Sequence, residues 1–385
     1  MQREIYLDNA ASSWPKPQSV YEAMDHFSRC IGANPGRSAH RRSTQAARVV
    51  LRAREALAEL FRLRDPARVV LTANATSALN LALWGLLQPG DHVVTSSWEH
   101  NSVMRPLRAL QARRGIRLSV VPPGKDGAFD LDSYHNLLRQ KTRAVVVTHG
   151  SNVSGALLPI AEIVSMAKDR GAVTIVDAAQ TAGCVPIHLD ATPIDLLAVT
   201  GHKGLLGPQG TGALCIAGDV DLEPLMHGGT GSDSEQEHQP RFLPDRHESG
   251  TLNTVGIAGL AAGVEFVLQQ RPEQIWAREH QWVQRLLEQV RQQQALSLYG
   301  PEADRPRLGL VSLNVQGMWP SDVGLALEQR FGILTRVGLH CAPAAHRALG
   351  TFPTGTVRLS VGWFTTLEDV DYTAQALAAL AAEAR

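Results

Sequence analysis

Two stretches, VTIVDAAQTAGC at 173–184 and LLAVTGHKGLLGPQGTG at 196–212, decide how the chain is read. Each is a short apolar run that stops near a reactive side chain, Asp177 in the first and Lys203 in the second. Runs that are apolar throughout suit strands covered on both faces, as in a parallel sheet. The strands are predicted at Val173–Val176 and Leu196–Thr200, and upstream at Arg68–Thr72, His92–Ser96, Arg117–Val121 and Ala144–Thr148. Helical patterns lie between them. Thr76 is predicted to cap a helix with the stripe Leu79, Leu83 and Leu86, ended by Pro89-Gly90. Asp130 is predicted to cap Leu131–Gln140, and Pro159 to start a helix ending near Gly171. This alternation predicts an α/β fold with right-handed crossovers. Ligands of such sheets lie beyond the carboxyl ends of the strands, where Asp177 and Lys203 fall.

The last third of the chain reads differently. A long helix near Glu273–Gln294 precedes a strand at Leu310–Val315, a helix near Ser321–Phe331, a strand at Val357–Val361 and a helix from Thr366. The expected division is an N-terminal arm over 1–20 that contributes to the small domain, a large domain over 21–264 and a small α+β domain over 265–385. The polar segment Gly228–Gly250 is read as a long loop, and its His238 and His247, lacking metal-ligand spacing, as solvated.

Composition narrows the function. The 385 residues carry 37 Lys+Arg against 37 Asp+Glu, with 44% hydrophobic and 19% charged residues. That is globular composition, and the balance of charge argues against broad binding to nucleic acid or membrane. The start MQREIYLDNA lacks the apolar core of a secretory signal. The longest apolar stretch, near Gly256–Leu268, is broken by Glu265 and is too short to span a membrane. The expectation is a cytoplasmic enzyme. Four scattered cysteines without a Cys-x-x-Cys pair predict neither a disulfide framework nor a zinc site.

Only five lysines occur. Lys16, Lys125, Lys141 and Lys168 sit in turns or at helix ends and read as solvated. Lys203 stands at a strand's carboxyl end before a Gly-rich loop, which leaves it either a site lysine or a lysine in a surface turn. Asp177 ends an apolar strand and needs a cationic partner there; alone, it reads equally as a helix cap or a structural ion pair. Together the two suit pyridoxal phosphate (PLP): a lysine condenses with the aldehyde, and an aspartate keeps the pyridine nitrogen protonated.

The ordered pieces DNAA at 8–11, ATS at 75–77, EH at 99–100, SNVSG at 151–155, VDAAQ at 176–180 and TGHK at 200–203 resemble the class V aminotransferase-type PLP enzymes. GTLNT at 250–254 and RVGLHCAP at 336–343 narrow the resemblance to the compact-loop branch of the cysteine desulfurase and selenocysteine lyase family. The resemblance implies the type I PLP-transferase fold. It implies Lys203 as the Schiff-base lysine, Asp177 at the ring nitrogen and His100 stacked on the ring. By the same resemblance Gln180 and Asn152 lie at the phenolic oxygen, Thr76, Thr200 and His202 hold the phosphate, and Ala75 also binds the cofactor. Thr251 resembles a phosphate contact supplied by a neighbouring subunit, and Arg37 an arginine that approaches the neighbour's site; both imply a homodimer.

Among the cysteines, Cys30 lies on the apolar stripe of Val20, Met24, Phe27 and Ile31, and Cys215 inside the strand-like ALCIA. Both read as core residues, and Cys184 as structural. Cys341 sits in a non-periodic, Gly- and Pro-bounded stretch near Arg336 and His340. The resemblance makes it the nucleophile that takes sulfur from L-cysteine, or selenium from L-selenocysteine, for transfer to an acceptor. Leu339 stands where that branch commonly has a second histidine. Arg358 is a cation inside the apolar strand TVRLSV and needs an anion. The resemblance makes that anion the substrate α-carboxylate, with Asn152 and Arg37 also near the substrate; the alternative is an internal ion pair. A PLP aminotransferase or epimerase on the same fold would need Lys203 and Asp177 but not Cys341.

Overall fold

A computed structural model describes residues 4–36, 40–124, 128–302 and 305–383. The chain begins with β1 (Ile5–Tyr6), α1 (Gln18–His26) and α2 (Arg41–Phe61). An alternating run follows: β2 (Val69–Thr72), α3 (Ala75–Leu86), β3 (His92–Ser96), α4 (Asn101–Arg114), β4 (Arg117–Val121), α5 (Leu131–Leu137), β5 (Thr142–Thr148), α6 (Ile160–Lys168) and β6 (Val173–Asp177). Next come β7 (Leu196–Thr200), β8 (Gly212–Ile216), α7 (Thr254–Gln270) and α8 (Pro272–Val290). The chain ends with β9 (Leu296–Tyr299), β10 (Leu310–Val315), α9 (Pro320–Phe331), β11 (Ile333–Leu334), β12 (Arg336–Gly338), α10 (Pro343–Ala348), β13 (Thr356–Ser360) and α11 (Leu367–Glu383).

Seven strands form the large sheet in the order β2-β8-β7-β6-β5-β3-β4. Strands β3 to β7 run parallel, and β8 runs antiparallel to both β7 and β2. One face packs on a core that includes Leu57 and Phe61 of α2, Ile163 of α6 and Leu260 and Val264 of α7. The other packs on Leu79 and Leu83 of α3 and Leu107 and Leu110 of α4. Both faces are covered, which is why the strands read as continuous apolar runs. Beyond this sheet, β12-β13-β10-β9 form an antiparallel sheet, and β1 pairs in parallel with β11. Ile5 and Leu7 join a third core with residues of α8, α9, β10, β13 and α11.

Some expectations shift. Asn74, not Thr76, caps α3, accepting from the Ser77 N–H, so Thr76 is the second residue of the helix. Asp130 does cap α5. Cys30 is exposed, because Phe27–Ile31 forms a π-helical turn that keeps Phe27 and Ile31 inside and rotates Cys30 outward. The apolar stretch near Gly256–Leu268 is the buried helix α7. No helix among the described residues is long and apolar enough to cross a membrane.

Candidate active site

Register sets the site. Thr148 at the end of β5 lies opposite Asp177 at the end of β6, and Asp177 opposite Ala198 of β7. A cavity of about 300 Å³ opens at these strand ends. The sheet side of it is lined by Thr148, Asp177, Thr200 and Lys203, and the starts of α3 and α4 bring Ala75, Thr76, His100 and Ser102. Asn152, Gln180 and His202 complete that side, and Arg336, His340 and Arg358 close the other. The loops that follow Asp177 and Lys203 pack back to back at Gly183 and Gly204. A Cβ on Gly183, which has φ +91°, would stand 2.2 Å from the Gly204 carbonyl oxygen.

Burial lowers the Lys203 amine to about 8; Arg358 and Arg336 act in the same direction, while Asp177 and Cys341 oppose. The amine is therefore a base and nucleophile close to neutral pH. Burial raises Asp177, opposed by the Ala179 N–H donating to Oδ1 at 2.9 Å and by Lys203. Of the other lysines, Lys141 is exposed and Lys125 lies outside the described residues. Lys16 is not solvated, as expected from its turn, but half-buried: its amine donates to Ser13 Oγ at 2.7 Å and to the His202 carbonyl at 3.0 Å. Lys168 departs as well, pairing with the buried Asp195 at 2.5 Å.

The cavity carries polar atoms with nothing to bind. Thr200 Oγ1, His202 Nδ1 and Arg358 Nε are buried without partners. His340 Nδ1 is a fourth such atom among the described residues; buried polar groups are ordinarily satisfied, so four orphans on residues of one cavity mark a ligand's place. Thr200 and His202 face the start of α3, whose free N–H groups and dipole favour an anion. The donors fit a phosphate, and Asp177 fits a protonated ring nitrogen.

Arg358, buried in β13, donates to Asp8 Oδ1 at 2.8 Å and to the Asn152 carbonyl at 3.0 Å. The internal ion pair therefore exists, with a carboxylate of the N-terminal arm, and the orphan Nε still faces the cavity. Asn152 Nδ2 donates to the His340 carbonyl at 2.7 Å, and Gln180 Nε2 to the Ala10 carbonyl at 3.0 Å. His340 and Cys341 both adopt left-handed φ, 47° and 57°. Cys341 is exposed and follows the cavity residue His340, with Arg336 Nη2 4.0 Å from its sulfur, and its carbonyl accepts from the Asn101 N–H at 2.8 Å. Cys184 and Cys215 are buried, and burial raises both thiols.

Some expected residues do not meet in the cavity. Thr251 is exposed and lines a separate groove with Thr76, Ser77 and Met226. Arg37 lies outside the described residues. His247 is not solvated: the loop buries its Nδ1 without a partner and lowers its pKa to about 4. The sequence did not flag Ser102 or Thr148, although Ser102, three residues after Glu99, would follow from recognising α4.

The aminotransferase class-V family model matches residues 5–373. The chain belongs to the class V aminotransferase family. This is a family of PLP enzymes. Among its class V relatives, a probable cysteine desulfurase of Methanothermobacter thermautotrophicus is 35% identical over 383 residues, 98% of this chain and 94% of the relative. A cysteine desulfurase of Escherichia coli O157:H7 is 34% identical, over 95% of this chain and 90% of its own. The apo structure of a cysteine desulfurase from Thermococcus onnurineus superposes with a TM-score of 0.92 at 33% identity, covering 99% of this chain and 95% of that one.

Proposed function

We propose that this protein is a PLP-dependent cysteine desulfurase that converts L-cysteine to L-alanine and leaves the sulfur as a persulfide on Cys341. The observation that carries the reading is one cavity holding a lowered lysine amine and a buried aspartate at neighbouring strand ends, with an exposed thiol 4.0 Å from Arg336 of its lining. PLP, when bound, supplies an aldehyde for the substrate amine and an electron-withdrawing ring that accepts the electron pair freed at Cα.

The chain's own residues do the rest. Thr76, Thr200 and His202 hold the phosphate with the first turn of α3, and Ala75 belongs to that turn. Asp177 would keep the ring nitrogen protonated, His100 would cover the ring, and Asn152 and Gln180 would flank it, all four lining the one cavity. The Arg358 Nε edge takes the substrate α-carboxylate. Lys203 removes the Cα proton at Nζ and returns it. The Cys341 thiolate attacks the substrate sulfur: an S–S bond forms, the Cβ–S bond breaks with its electron pair going to Cβ, and Cβ gains the proton given up by the substrate thiol, leaving the persulfide as an anion. Arg336 Nη2 lies 4.0 Å from Sγ, on the cavity side of the nucleophile loop. The persulfide then passes to an acceptor thiol or protein. L-Selenocysteine is the alternative substrate, since selenium leaves more readily.

The test is Cys341→Ala with product analysis on both substrates. The variant is expected to keep bound cofactor and its absorbance, because no cofactor-holding residue changes. Alanine and sulfide from L-cysteine should fall by about three orders of magnitude or more. Sulfide release at a near wild-type rate would refute the nucleophile and favour an aminotransferase or simple lyase.

A further inference from the structure

His100 caps α4 with its ring. The Ser102 backbone N–H donates to His100 Nδ1 at 3.0 Å, and Ser102 Oγ lies 2.8 Å from the same nitrogen. A backbone N–H can only donate, so Nδ1 is the accepting nitrogen. Burial lowers the ring's pKa to about 4, helped by Lys203, Arg336, Arg105 and Arg358, which all lie close enough to oppose a charge on it. Near neutral pH the ring is uncharged, and its single proton sits on Nε2.

We propose that Ser102 is a positioning residue: its two donors hold His100 as the Nε2–H tautomer, so that this ring meets the cofactor and substrate as a donor and not as a base. The inference rests on the reading of His100 as the ring-covering histidine. It divides the proton work of the cavity, with Lys203 as the base. Ser102 is buried and lines the same cavity. Its hydroxyl also reaches toward Asp177 Oδ2 at 3.4 Å, a longer contact than the 2.8 Å to Nδ1. The same turn also holds the nucleophile loop, since the Asn101 N–H donates to the Cys341 carbonyl. The first turn of α4 therefore fixes two reacting groups at once.

The decisive experiment is a long-range 1H–15N correlation on holoenzyme labelled with 15N-histidine, with the His100 signals identified by their loss in His100→Gln. The expected result is a protonated Nε2 and a bare Nδ1 that persist as the pH falls, until the ring titrates near 4. A proton on Nδ1 at neutral pH overturns the proposal. Kinetics test the hydroxyl separately. Ser102→Ala is expected to lower kcat for L-cysteine about tenfold with little change in KM, the loss of one orienting hydrogen bond. Ser102→Thr, which restores a hydroxyl, should recover most of it. Wild-type kcat in Ser102→Ala, or no advantage of Thr over Ala, overturns the positioning role. A bare Nδ1 in a protein that releases no sulfur from L-cysteine would support the lock and refute the desulfurase reading.

Discussion

Glu279 shows what a single buried acid does here. It stands on α8, buried beside Cys184, in a cavity of about 50 Å³ that Lys203 and Gln180 also line. Burial raises it to about 8, as burial does Glu99. The unfolded chain releases this proton near 4.5 and the folded chain near 8. Between those values the unfolded state binds fewer protons, so stability falls as pH rises. The contribution is full below 4.5 and is lost as pH passes 8. The partly buried His149 and His202, lowered to about 4 by desolvation, act in the opposite sense, adding stability from about 4 up to 6.5. The window from 6.5 to 8 therefore isolates the acids. Glu279→Gln is expected to flatten the fall of unfolding free energy with pH across that window, measured by urea unfolding at fixed cofactor concentration. A variant curve parallel to wild type would show that Glu279 is not the group that titrates.

At the scale of elements, the 217–253 connection between β8 and α7 has neither helix nor strand among its residues, yet it is fastened. Glu248 is buried against Arg54 of α2, bonded at 2.7 and 2.5 Å, and also accepts from the Leu71 N–H at 2.6 Å. Removing one partner strands the other charge and costs about 3–5 kcal/mol. Arg54→Ala and Glu248→Ala are each expected to lose that much in chemical unfolding, and the Arg54→Met, Glu248→Leu double variant much less than their sum. Additive losses would mean that the two side chains act independently. This pairing also marks the limit of what the sequence discloses. Strands β3 and β7 were legible to the residue, because burial on both faces writes an apolar run; the edge strand β4 was legible as well, although its residues are mostly only partly buried. Lys203 and Asp177 were legible because they follow such runs. Helix α4 was not, since Pro106 and a polar composition blur its period, and with it went Ser102. The pairings of Arg54 with Glu248, of Arg358 with Asp8 and of Asn152 with His340 join residues 194, 350 and 188 positions apart. No local pattern encodes such distances; only the packing of whole elements does.

On the scale of the whole molecule, the surface beside the cavity carries exposed apolar side chains. Leu225 and Met226 are 47% and 58% exposed, and they line a groove of about 620 Å³ with Thr251. Thr76 lines both this groove and the cavity, so the start of α3 is the wall between them. A partner seated in the groove would press on the turn that we assign to the phosphate, with Thr251 at the contact. A second copy of this chain is the expected occupant, in a homodimer whose two sites depend on the shared surface. Sedimentation equilibrium of the wild type is expected to give twice the mass of the 41.7 kDa chain. Met226→Glu places an unpaired charge at an apolar contact, and the dimer dissociation constant should rise about 100-fold or more. Because the groove shares Thr76 with the cavity, the same variant should hold its cofactor more weakly, which dialysis followed by absorbance would read. An active wild-type monomer at working concentration would defeat the dimer. A Met226→Glu monomer that keeps both cofactor and turnover would show that the association does nothing for the site.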